Sequence, residues 1–210
     1  MTAFDLIRFR DWTDPVPPAE REVASLLPDD DEGHPPVLFV PGREHGAAVF
    51  AEHWLPRTAG RGFPAHALTP RPGGDPRARA HDVVQTAASL PRQTVLVGHG
   101  SGAAAVARAL GRYPARAAVL VAPVLGTPVP GLPMLGGRRR TVPPRPVGAP
   151  PVLVVGSPDD KVVSPKALDR AAAAYGGAPL MFPGMGHEMM LEDSWAEPID
   201  AILDWLTKQL

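Results

Sequence analysis

Hydrophobic positions along the chain come in short runs separated by polar, Pro-rich or Gly-rich stretches. "VLFV" (37–40), "TVLVG" (94–98), "AAVLVAP" (117–123) and "PVLVVGS" (151–157) are continuous apolar runs of strand length. That is the pattern of strands covered on both faces. "PAHALTP" (64–70) and "APLMFPG" (178–184) predict two more strands, and "FDLIRF" (4–9) a short first one. Between them the period changes. "HGAAVFAEHWLPRTAG" (45–60) predicts a loop running into a helix stopped near Gly60. Asp75 followed by Pro76 is a helix start, and the helix after it carries Val83, Ala87 and Leu90 on one face. Residues 102–112 predict a small-residue helix, and Ser164–Pro165 starts another that ends at Gly176–Gly177. Ile199, Ile202, Leu203 and Leu206 mark a final helix. Residues 11–36 read as a loop with at most one helical turn.

Strands alternating with helices predict an α/β fold: a mostly parallel sheet of about six to eight strands with helices on both faces. The 210 residues suit a single domain spanning 1–210. Residues 124–150, "VLGTPVPGLPMLGGRRRTVPPRPVGAP", are the one long irregular stretch. Its prolines forbid a regular helix, and a loop of that length in a compact domain is usually functional or disordered.

A formal net charge of −1 gives no electrostatic reason to expect a nucleic-acid partner. With no cysteine there is no disulfide framework, thiolate metal site or thiol nucleophile. No apolar run approaches the ~20 residues of a membrane span, and the opening "MTAFDLIRFRDW" lacks the apolar core of a signal peptide. A cytoplasmic protein acting on a small-molecule substrate, with no membrane partner, no cofactor and no metal, is the expectation; oligomeric state is not readable.

In a parallel sheet, ligands bind beyond the carboxyl ends of the strands. Four sequences sit at such ends: "PGREHG" after 37–40, "GHGSG" after 94–97, "SPDDKVV" after 151–156, and "PGMGHEMM" after the last strand. With these in order, the chain resembles the α/β-hydrolase superfamily from about residue 36 onward. "VLFVPG" resembles the oxyanion strand and turn, "LVGHGSGA" the nucleophile elbow, "VLVVGSPDDKVV" the acid turn, and "PGMGHEMM" the histidine loop. The resemblance implies His187 as base and Asp160 as its acid, with Asp159 the other choice. It implies backbone N–H donors at Ser101 and Arg43 for an oxyanion. Where the family inserts a helical cap, this chain has only the Pro-rich loop.

One position departs from the family. The nucleophile slot between the outer glycines, Gly98 and Gly102, is Gly100. Glycine takes the sharp elbow turn without strain but has no hydroxyl to attack with. Ser101 is one place late, and a one-residue shift moves the Cα by ~3.8 Å. His99 resembles the family histidine that packs behind the turn. Glu44 and His45 are pocket candidates beside the oxyanion turn. Arg138, Arg139 and Arg140 form either a solvated run or a clamp for an anion. Met185, Met189 and Met190 suit packing around His187.

Two other readings of the motifs fail. Gly98-x-Gly100-x-x-Ala103 matches a dinucleotide fingerprint, but the next strand ends without the ribose-binding acid. No pair of histidines has the local spacing of zinc ligands. Three functions remain. The first is an enzyme using the His187–Asp160 dyad as general acid and base without a covalent serine step. Its substrate would be a small ester, lactone or carbonyl compound, taken through water-mediated hydrolysis, elimination, decarboxylation or cyclisation. The second is an ordinary serine hydrolase with Ser101 displaced into the role, or with Gly100 an engineered replacement for serine. The third is a non-catalytic binding protein that keeps the pocket.

Overall fold

A computed structural model of the chain describes residues 14–17, 19–30, 32–43, 45–125 and 145–210. The strand expected at 4–9 and most of the Pro-rich loop lie outside these residues. Seven strands form one sheet: β1 (Glu22–Leu26), β2 (Val37–Val40), β3 (Ala65–Thr69), β4 (Val95–His99), β5 (Ala117–Val121), β6 (Val152–Gly156) and β7 (Leu180–Met181). Their order across the sheet is β1-β3-β2-β4-β5-β6-β7. Only β1 runs antiparallel, against β3; the remaining pairs are parallel. The α/β class and the strand number are those expected from the apolar runs.

Alternate residues of the central strands feed two separate cores. Val37, Phe39, Val95, Val97, Val119 and Val121 face one way; Leu38, Val40, Leu96, Ala118 and Leu120 face the other. This period of two follows from the pleat, and burial on both faces explains why the strands read as unbroken apolar runs. The first core is covered by the helices α1 (Ala48–Ala51), α2 (Trp54–Ala59) and α6 (Ala196–Gln209), through Phe50, Trp54, Ile199, Ile202, Leu203 and Leu206. The second is covered by α3 (Pro76–Ser89), α4 (Ser101–Ala109) and α5 (Pro165–Ala173), through Val83, Ala87, Val106 and Leu168. Asp75 caps α3 as expected: its Oδ1 accepts the Ala78 N–H at 2.7 Å.

Three expectations need correction. Residues 22–26, read as loop, are the edge strand β1. It is only half buried, so it lacks the apolar run that reveals the inner strands. The helix expected over 45–60 is two short helices, broken at Glu52–His53. Pro56 lacks the N–H that would bond back to the Glu52 carbonyl, so it suits the first turn of a new helix. The last strand is two residues long rather than seven, because the chain turns at Gly184 (φ 81°) to form the histidine loop.

Candidate active site

The elbow between β4 and α4 explains its own glycines. A Cβ on Gly98 would lie 2.6 Å from Ala103 Cα, and one on Gly102 would overlap the carbonyl oxygens of Val40 and Pro41. Those two positions must be glycine for α4 to pack this close beneath β2 and β4. Gly100 is different. Its backbone sits at φ 54°, ψ −118°, which L-residues adopt only under strain. Its N–H donates to the Val121 carbonyl at 2.9 Å and its carbonyl accepts from Val124 at 3.0 Å, so neighbouring segments hold the turn in place. A Cβ at Gly100 would point at His187, 3.3 Å from Nε2.

His187 reaches this point from the loop after β7. Its Nδ1 lies 2.8 Å from Asp160 Oδ2. The Asp160 side chain is fully shielded, and His187 retains 17% exposure. Asp160 Oδ1 also accepts the N–H groups of Val162 and Val163, at 2.6 and 3.0 Å. The carboxylate is thus held by its own turn before it meets the histidine. With Nδ1–H donated to the acid, Nε2 is left as an acceptor facing position 100. The choice between the two aspartates resolves geometrically. Asp159 is exposed and accepts the Gly184 N–H at 2.7 Å, tying the acid turn to the histidine loop.

Ser101 starts α4, where its N–H has no intrahelical carbonyl to bond. Its Oγ is buried and makes no hydrogen bond, to His187 or to any other group. Arg43 is exposed just after the buried Gly42, and the His45 N–H closes that turn on the Gly42 carbonyl at 3.3 Å. Glu44 and Arg138–Arg140 fall outside the described residues. Met185, Met189 and Met190 are buried in the core beneath the loop, as their packing role requires.

His99 is buried at the end of β4. Its Nε2 donates to the His187 carbonyl at 3.0 Å, and its ring lies 4.9 Å from the His187 ring. Burial pushes its pKa down, partly offset by the Glu188 charge and the His187 carbonyl. His99 thus anchors the backbone of His187 through that carbonyl. Glu188 in turn lies 3.2 Å from His45 Nε2 and 3.6 Å from His99 Nε2. Ligand atoms of His99, His187 and Glu188 gather within 4.8 Å of one another, the one such cluster among the described residues. Local spacing of histidines missed it because two distant segments contribute, the end of β4 and the histidine loop. Each member has one atom engaged, His99 by a carbonyl, His187 by Asp160 and Glu188 by His45, while His99 Nδ1 and Glu188 Oε2 are buried without a hydrogen bond. Sequence reading also missed Glu188 as the link from His45 to the histidine loop, and Arg79 of α3, which lines one cleft with Pro41 and Gly102. Neither carries a local motif.

Comparison with known proteins bears on the family and the fold. The family described as Serine hydrolase matches residues 37–207. No curated protein matches the chain in sequence. Among solved structures, a monoacylglycerol lipase from Paleococcus ferrophilus superposes with a TM-score of 0.70 at 18% identity, covering 91% of this chain and 100% of the other. A butyrate-bound thermophilic esterase, Est2 of Thermogutta terrifontis, superposes at 0.64 with 19% identity, covering 93% and 90%. At these identities the likeness is one of fold: the sheet and helices are those of the α/β-hydrolases. Among the described residues, no helix is long and apolar enough to cross a membrane.

Proposed function

The chain belongs to the serine hydrolase family, and on that premise we propose that this α/β-hydrolase enzyme acts through the His187–Asp160 dyad as general base and acid, without an acylated serine. The observation that carries the reading is the line from Asp160 Oδ2 through His187 to the empty side-chain position of Gly100, 2.8 Å and then 3.3 Å long. A water or a substrate hydroxyl above Gly100 has the place that a serine hydroxyl takes in the family.

For a small ester or lactone the steps are these. His187 Nε2 takes a proton from the water as its oxygen attacks the carbonyl carbon. The backbone N–H groups of Ser101 and Arg43 hold the negative oxygen of the tetrahedral intermediate. Asp160 stabilises the imidazolium. Collapse breaks the bond to the leaving alkoxide, which takes the proton back from His187. The same base would serve eliminations, decarboxylations or cyclisations that begin with proton removal.

A second reading, in which Ser101 is the nucleophile, is favoured by the family's name. The buried Ser101 Oγ without a hydrogen bond counts against it, because a serine needs a base within ~2.6–3.2 Å to be activated. The test is a panel of activated esters and lactones with wild type, His187→Ala, Asp160→Asn and Ser101→Ala. His187→Ala is expected to lower turnover ~10²–10⁴-fold. Asp160→Asn should lose much of the same factor, because an amide can orient the wrong ring nitrogen. Ser101→Ala should keep activity within about threefold, since its Oγ has no part in the steps above and its backbone N–H remains. Loss of turnover in a folded Ser101→Ala, whether or not His187→Ala is also inactive, would overturn the proposal, as would full activity in His187→Ala.

A further inference from the structure

Beside the oxyanion turn lies a cavity of about 350 Å³ whose walls include Arg43, His45, Arg71, Gly74, Asp75 and Arg79. Its cations differ in how they are satisfied. Arg71 is paired through two hydrogen bonds, 2.6 and 2.5 Å, to the buried Asp82. Arg79 is half buried and gives its Nε–H to the Gly74 carbonyl at 3.1 Å. Neither Arg79 nor Arg43 forms an ion pair among the described residues. Burial and the nearby Arg43 charge both disfavour the Arg79 cation, while Asp82, already engaged by Arg71, favours it only in part. Asp75 also lines the cavity, but its Oδ1 is committed to capping α3.

The loop is shaped to bring these groups in. A Cβ on Gly74 would fall 2.7 Å from Arg71 Cγ and 3.5 Å from Arg79 Cγ. Glycine there lets both arginine stems pass close to the backbone. Arg79 also lines a small cleft together with Pro41 and Gly102, so it stands between the cavity and the elbow. On the other side, His45 Nε2 lies 3.2 Å from the carboxylate of Glu188, the residue after His187. Two guanidinium groups that form no ion pair among the described residues, facing one cavity beside the oxyanion turn, make a site whose electrostatic strain an anion relieves.

We propose that this cavity is an anion subsite: Arg43 and Arg79 hold a carboxylate or phosphate group of the substrate while its reacting carbonyl lies over Gly100. The inference rests on the functional reading above for what the substrate undergoes, but not for whether the anion binds. The substrate class is then a small acid carrying a second, hydrolysable or otherwise reactive carbonyl group. Arg43 serves twice, its backbone N–H toward the oxyanion and its side chain toward the fixed charge.

The test separates binding from turnover. Succinate and inorganic phosphate are titrated separately into the full chain by calorimetry, in a dilute amine-buffered solution free of other oxyanions. At least one should bind saturably near 1:1, and weaken as ionic strength rises. Arg79→Gln and Arg43→Gln should each weaken it about ten- to a hundredfold. Arg79→Lys, which keeps the charge, should lose less than Arg79→Gln, and His187→Ala should still bind. Succinate binding alone assigns a carboxylate; phosphate binding alone assigns a phosphate ester. Absence of saturable binding for both probes overturns the proposal, as does equal affinity in the folded Arg79→Gln and Arg43→Gln variants. A protein that binds these anions but turns over no ester would leave the subsite standing and sink only the hydrolytic reading.

Discussion

Replacing Gly100 by serine probes both the backbone and the chemistry of the elbow. At φ 54°, ψ −118° a side chain carries a strain of about 1–3 kcal/mol. The new Cβ would lie 3.3 Å from His187 Nε2, so the ring must yield by a few tenths of an ångström. It yields reluctantly, because Asp160 holds Nδ1 at 2.8 Å and His99 holds the His187 carbonyl at 3.0 Å. At roughly 2–4 °C per kcal/mol for a chain of this size, the strain lowers Tm by about 2–12 °C. Gly100→Ala should fall by the same amount, since the strain belongs to the Cβ. The two variants part company in chemistry. Serine places a hydroxyl within hydrogen-bond reach of Nε2, which rebuilds a nucleophile, base and acid in line. A fluorophosphonate probe should label Gly100→Ser stoichiometrically at the new hydroxyl and leave Gly100→Ala and wild type unlabelled. In Gly100→Ser the native reaction should fall, because the hydroxyl takes the space of the water or substrate group. A folded Gly100→Ser protein as stable as wild type and inert to the probe would show that position 100 does not present its side chain to His187. The elbow argument would then fail.

Three further outcomes follow from the packing. Gly98→Ala drives a methyl to 2.6 Å from the Ala103 Cα, an overlap of backbone that no rotamer relieves; it should cost at least ~1–3 kcal/mol, read by denaturant unfolding, and an unchanged midpoint would refute the close packing of α4. Arg71→Ala strips the partner from an Asp82 that is 1% exposed, and should destabilise by about 3–5 kcal/mol, far more than removal of the exposed Arg61 from Asp204. Burial lowers the pKa values of His66 and His99, so on acidification the unfolded chain takes up protons that the folded chain resists. The stability they contribute is complete above the ordinary imidazole pKa of ~6.5 and is lost as pH falls toward their depressed folded values. Unfolding free energies at pH 7.5 and pH 5.5 should show that loss, and His66→Gln should reduce it; a protein more stable at the lower pH would contradict it.

Much of this architecture is legible in the sequence where local chemistry dictates it. The inner strands β2, β4, β5 and β6 announce themselves because burial on both faces leaves no polar position to break the run. Asp75–Pro76 is legible because capping and proline geometry act within four residues. The placement of Asp160 and His187 follows from strand ends in a parallel sheet, and their 2.8 Å contact is what that placement allows. What is not legible depends on pairs that are distant in the chain. The edge strand β1 is visible only through its partner β3, with Ala24 opposite Ala67. The link from His45 through Glu188 to His99 joins two loops and the end of β4, and the Arg43–Arg79 cavity joins the oxyanion turn to the start of α3. Local periodicity carries no trace of either, because each residue in them is locally ordinary.

The central claim is that proton transfer at His187 proceeds without acylation of the protein. It is tested most directly by intact-mass spectrometry on enzyme quenched during turnover of an activated ester, in the pre-steady state and at steady state. The account predicts unmodified protein at every time point and no burst of released alcohol, with turnover that disappears in His187→Ala. An acyl adduct on Ser101 that forms and decays at the rate of turnover would contradict it and return the chain to the covalent chemistry of its family.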